Sequence, residues 1–320
     1  MKKLLTIAAN TFTEILRQPV YCIIVVAALL LFAFIPPLTM YSLEDDNKFL
    51  REIALSTLFL TSLFVSIFAS AGAVAEEIDN KTILTVVTKP LSRPIFIIAK
   101  FLGVAAAVAL AHYLCTIALL MAVRHGVMES ASDTHDWTVI ASAGGTLLLS
   151  VLVASFLGYF YDWKFSSTAI VLAAGFGTLA IVFLFFFDRN WRFYPAHNAM
   201  HLMDVYASFL LFLGAMIITA LAVALSSRFN VVVTLAGCIG IFMLGLVSDY
   251  TFGRFADSNF WAKIAYYIVP NLQVFWVSDA IYEGSAIPAR YILISGFYTI
   301  CYITGVLSLA VALFQRRQVG

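Results

Sequence analysis

The chain has 320 residues, of which 62% are hydrophobic and only 12% charged, with a formal net charge of +1. A water-soluble domain carries about twice that share of charge, and a chain this apolar would expose large greasy patches in water. The composition therefore excludes an ordinary soluble domain and predicts an all-α integral membrane protein.

In chain order, the first predicted element is an amphipathic helix over residues 1–19. Leu4, Leu5, Ala8, Phe12, Ile15 and Leu16 share one face, and Lys2, Lys3, Thr6, Asn10, Thr13, Glu14 and Arg17 the other. It is expected to lie on the inner membrane surface and to stop at Gln18-Pro19. No cleavable signal is expected, because the first long apolar run begins only at Val20 and Pro36-Pro37 at its end is unlike a small-residue cleavage site.

Eight apolar stretches then reach the ~20 residues that a ~30 Å bilayer core requires. They are 20–40, 53–75, 101–123, 139–161, 167–187, 205–225, 231–247 and 291–314. Helices are predicted, since lipid offers backbone groups no partner and the runs lack the alternation of barrel strands. Cys22, Cys115, Cys238 and Cys301 all fall within these stretches and read as small apolar residues. None of the stretches carries Asp, Glu, Lys or Arg well inside it, which disfavours an ion-coupled carrier. His112 stands alone at mid-depth and is expected to hydrogen-bond a neighbouring helix.

Between the second and third stretches lies "EEIDNKTILTVVTKPLSRPIFIIAK", residues 76–100, with seven charged side chains. The chain is expected to leave the second span through Ala71-Gly72-Ala73 as a flexible passage. Glu76, Glu77 and Asp79 suit a helix start, Lys89 suits its far end, and Pro90 stops it. Ser92 can cap a second helix with Pro94 in its first turn, rising through Lys100 into the third span. The segment thus reads as a short, stiff, charged lever between two spans.

Further along, 151–177 and 218–240 share a plan: an apolar helix, a short turn with one Lys or Arg beside Ser-Ser, then a Gly-bearing apolar helix. Residues 248–290 form an outer-side loop. Within it, 260–284 is broken by Pro270 and studded with aromatics, and predicts two short helices on or dipping into the outer leaflet. With the N-terminus inside, the inner segments hold eleven Lys/Arg against five acids, and the outer ones eight against thirteen. That bias places both termini in the cytoplasm.

An N-terminal surface helix ending "EILRQP", two spans, a Glu-Glu pair and then "TKPLSRPIFIIAK" resemble the permease subunit of ABC transporters of the ABC-2, or type 2 exporter, family. The match covers roughly residues 1–125, and "ALSSRFNVVVTLAG" with the Arg-Arg tail is similar to the C-terminal half. The resemblance implies a coupling helix that docks on a separate ABC ATPase subunit, with Glu76, Glu77, Lys81, Lys89, Ser92 and Arg93 at that contact. It further implies ATP and Mg on the ATPase, a second permease copy or paralogue as dimer partner, a bacterial inner-membrane location, and short outer helices acting as a gate. Contacts with membrane lipids are expected and none with nucleic acid. The family usually has six spans; the extra pair falls on spans four and five.

No Gly-x-x-x-x-Gly-Lys-Ser/Thr loop is present, so no phosphate cradle, cofactor or catalytic residue is predicted in this chain. A membrane-embedded CAAX-like protease is the enzymatic alternative, on Glu76, Glu77 and Lys81 with Phe193, His197 and His201. It needs those groups together, whereas three spans put them on opposite faces. An ion-coupled secondary transporter is the other alternative. His197 and His201, four apart near Met200, Met203 and Asp204, are a weak metal pair without fixed third and fourth ligands.

Overall fold

A computed structural model describes residues 2–39, 46–75, 93–128, 134–195, 201–283 and 285–315. Among the described residues the fold is helical; one isolated bridge joins Phe187 and Phe193. Among the described residues, seven helices are long and apolar enough to cross a membrane.

The elements follow one another as α1 (Lys2–Arg17), α2 (Pro19–Thr39), α3 (Asp46–Ser70), a π-helical turn (Ala71–Ala75) and α4 (Arg93–His125). Then come α5 (Trp137–Tyr161), α6 (Phe165–Phe186), α7 (Leu202–Ser226) and α8 (Val231–Leu246). Short elements α9 (Ser248–Thr251), α10 (Phe260–Ile268) and α11 (Ser278–Tyr282) precede the last long helix, α12 (Ala289–Gln315). Most spans are longer than the apolar runs, α2 and α8 excepted, because a helix continues through the interface wherever nothing stops it. α4 has 33 residues, about 50 Å at 1.5 Å per residue.

Two expectations need correction. The seventh stretch, 231–247, is not a straight span: α8 has 16 residues, and the chain bends by 69° between it and Ser248–Phe255. The exit from α3 is no loose passage but a π-helical turn, with Ala71, Ala73 and Val74 buried. Residues 260–283 contain the two short helices expected, α10 and α11, with a 3-10 turn added between them at Gln273–Phe275.

The two hairpins expected at 151–177 and 218–240 are present as α5–α6 and α7–α8, turning at 162–164 and 227–230. Asp162 takes the left-handed conformation at the first turn (φ 56°), and Asn230 caps α8 by accepting from the Val233 N–H at 3.0 Å.

α3 and α7 are the most enclosed spans, two thirds of each buried, and α4 packs against both. α2, α5, α6 and α12 surround them with most of their surface outward. One apolar cluster, around Ile15, Tyr21, Val65, Val74, Ile97 and Phe314, fills the end of the bundle nearest α1. The other, around Phe32, Leu50, Leu58, Phe59, Leu210 and Phe275, fills the opposite end.

Candidate functional site

Three sets of residues could carry function: the α1 end that frames the charged segment, a polar seam at mid-depth, and the opposite end.

Glu76, Glu77, Lys81, Lys89 and Ser92 lie outside the described residues, and of Arg93 the structure describes the backbone, which opens α4. What the structure brings together are the two ends of that segment. The π turn touches α1, α4, α7 and α8, and α1 lies along α4. Two glycines make these contacts close. A Cβ on Gly103 would stand 2.7 Å from the Ala8 carbonyl and from Thr11 Cβ, and one on Gly72 would stand 2.7 Å from the Gln18 amide. Helix α1 is therefore seated on protein. Its inward face carries Thr11, Ile15 and Leu16, while Leu5, assigned to the apolar face, is exposed. The seat on Gly103 sets that rotation. In the first turns of α4, Lys100 is buried with its Nζ 5.7 Å from the centre of the Phe96 ring, which stacks on Phe314 of α12.

The seam joins α3, α4 and α7. His112 Nε2 faces the Ser208 carbonyl at 3.0 Å and so donates to it, which leaves Nδ1, 2.8 Å from Ser62 Oγ, to accept from that hydroxyl in the neutral ring. Thr116 Oγ1 lies 2.6 Å from Ser208 Oγ, and Ser66 Oγ lies 2.8 Å from Thr219 Oγ1. His112 is thus bonded to two neighbouring helices, as expected of it. The seam binds helices together without an ionised group.

At the opposite end, among the described residues, Arg51 with Asp204 and Arg124 with Asp136 form ion pairs that apolar runs alone do not reveal, because these residues lie just outside the runs. Arg51 Nε on α3 is 3.3 Å from Asp204 Oδ1 on α7. Arg124, buried at the end of α4, holds Asp136 at 3.4 Å, donates to the Leu184 and Phe187 carbonyls at the end of α6, and reaches Thr138 Oγ1 at 3.1 Å. Asp136 in turn caps α5, accepting from the Thr138 and Val139 N–H groups at 3.1 and 3.2 Å. One guanidinium thus ties the ends of three helices. The only sequence signal for it was an Asp three residues before an apolar run, the pattern of an N-cap.

Also at this end, the chain after α10 turns back into the bundle. Leu272 and Phe275 are fully buried, and the Leu272 N–H donates to the Gly245 carbonyl at 3.0 Å. A Cβ on Gly245 would meet the Pro270 carbonyl at 2.7 Å. Tyr291, Tyr298 and Tyr302, on one face of α12, hold this segment through the Val274 carbonyl, the Asn271 N–H and the Ile268 carbonyl. Asp249 accepts from Tyr266 and from the Asn271 amide, both at 2.8 Å. The first of these bonds favours the protonated phenol and pushes Tyr266 above the usual tyrosine range.

No protein-family model and no curated protein matches this chain. His197 lies outside the described residues, and His201 is an exposed residue immediately before α7. Among the described residues no three or more His, Cys, Asp or Glu side chains come together as a metal site.

Proposed function

We propose that this chain is the transmembrane permease subunit of an ATP-driven ABC exporter of the ABC-2 family. In this reading a separate ATPase subunit holds ATP and Mg, a second permease copy or paralogue completes the pathway, and the complex sits in a bacterial inner membrane. Both termini are cytoplasmic, α8 and the segment bent away from it make an eighth pass, and α1 lies at the inner surface. Residues 76–100 form the coupling segment, and the inward-turning stretch before α12 is the outer gate.

One observation carries this reading: both ends of the charged segment are clamped to the most enclosed part of the bundle. The π turn ends α3 among α1, α4, α7 and α8, and α4 begins under α1, so a displacement of 76–92 is delivered to the core helices. Close-packed interiors transmit such displacement because they have little room to absorb it. Mid-depth of the bundle, with its neutral seam, holds no Asp, Glu, Lys or Arg among the described residues, which supports a driving force entering from outside the spans.

The test is capture of the full chain from its own membranes, with identification of what accompanies it. An ATPase subunit is expected with the wild type and not with a Glu76→Lys/Glu77→Lys variant that inserts normally. Recovery of the chain without any nucleotide-hydrolysing partner, or equal capture by both forms, overturns the proposal.

A further inference from the structure

A cavity of about 530 Å³ opens among α2, α4, α5 and α6. Its size falls within the ~300–1,000 Å³ of pockets that enclose a small molecule or a lipid chain. Along α4 its lining runs from Leu114 to His125, about 17 Å of helix at 1.5 Å per residue. That is the depth of roughly one leaflet of a ~30 Å hydrocarbon core. The wall is apolar over this length, and small residues such as Ala143, Gly144 and Gly177 keep it open.

Polar side chains gather at one end. His125 and His135 both line the cavity there, with ring centres 5.6 Å apart. The His125 Nδ1–H donates to the Gly126 carbonyl at 3.0 Å, which leaves Nε2 for another partner. Arg189, 46% exposed in its side chain, donates from Nη2 to the His125 carbonyl at 3.0 Å. Asp136, 3.9 Å from Arg189, is already matched by the buried Arg124 and by two backbone N–H groups. The loop carrying Arg189 also carries one acid, Asp188, and one further base, Arg192; Glu129 and Asp133 fall in a connection outside the described residues. The charge left over at the described mouth is positive.

We propose that this cavity binds an anionic membrane phospholipid, one acyl chain in the apolar bore and the phosphate against Arg189 and the His125–His135 pair. The bore matches one leaflet in depth and its polar end matches an anionic headgroup. The site needs only that the chain spans a membrane, and it stands or falls separately from the ATPase partnership.

The experiment is native mass spectrometry of the purified full chain, titrated with phosphatidylglycerol or with phosphatidylcholine of the same acyl chains. The wild type is expected to retain one phosphatidylglycerol with about fivefold preference, the size of one Arg attraction to an anionic membrane surface. A Cβ on Gly144 or on Gly145 meets nothing within 4 Å, yet only Gly144 lines the cavity. Gly144→Leu should therefore lose retention of both lipids, and Gly145→Leu should keep it. Arg189→Gln with His135→Gln should erase the preference between headgroups while leaving acyl-chain retention. Equal retention in Gly144→Leu and wild type, equal loss in Gly144→Leu and Gly145→Leu, or a wild type indifferent to headgroup overturns the proposal.

Discussion

His112 and Arg124 show how few polar side chains organise an apolar bundle. His112 makes hydrogen bonds to α3 and α7 where no water competes. His112→Phe, which keeps a ring beside Phe212, removes both and should cost about 1–2 kcal/mol, read as a lower unfolding temperature in detergent. Ser62→Ala, which removes one of the two, should cost less. Arg124 is a larger risk, since its loss strands a buried carboxylate. Arg124→Leu should destabilise by about 3–5 kcal/mol, and adding Asp136→Asn should recover part of that by removing the orphan charge. A double variant no more stable than Arg124→Leu alone would show that the carbonyl contacts of Arg124, not its charge, hold this corner. His112 could be anticipated because it is the one mid-depth ionisable group besides Cys and Tyr. The partners of Arg124 could not, since they come from separate helices whose ends meet only after folding.

At the scale of elements, two close approaches fix features that periodicity described incompletely. α1 was legible as an amphipathic helix stopping at Gln18-Pro19, and the helix runs from Lys2 to Arg17. Its rotation was not, because Thr11 rather than Leu5 is turned inward, and that choice is made by Gly103 on α4. Gly103→Val should force α1 off its seat, at a cost of about 1–3 kcal/mol for overpacking. Labelling of a cysteine at Thr11 should rise in that variant and stay low without it. The inward-turning segment before α12 depends in the same way on Gly245. Gly245→Val should unseat Leu272 and expose a cysteine placed there, whereas Gly240→Val, whose Cβ meets nothing within 4 Å, should not. Equal labelling in the two glycine variants would show that the segment is held by its three tyrosines alone. The break at Pro270 was visible in the sequence; the direction in which the chain turns was set by the pocket that receives Phe275.

At the scale of the molecule, α1 and the end of α12 lie at the same end of the bundle, where Ile15 and Phe314 share one cluster, the parity expected when α8 and the segment after it make one pass. Single cysteines at Ser167 and at Ser258, on opposite ends of the bundle, should then react from opposite sides, and tags at the two termini from the same side. Tags reacting from opposite sides would show that the bent pair does not cross. The α5–α6 hairpin touches the core over a small apolar cluster and through Arg124. Most of its surface faces outward, and the cavity lies where it meets α2 and α4.

By itself the sequence determined the class of molecule, because runs of about 20 apolar residues have one stable environment and one backbone form within it. It also determined where most helices lie, through the prolines, caps and charges that interrupt those runs. The tertiary structure decided what depends on contact between distant segments: the rotation of α1, the burial of Arg124 and Asp136, the inward turn of the segment around Phe275, and the cavity. Hydropathy is summed along the chain, whereas a glycine seat or a buried ion pair exists only once two helices stand a few ångströms apart.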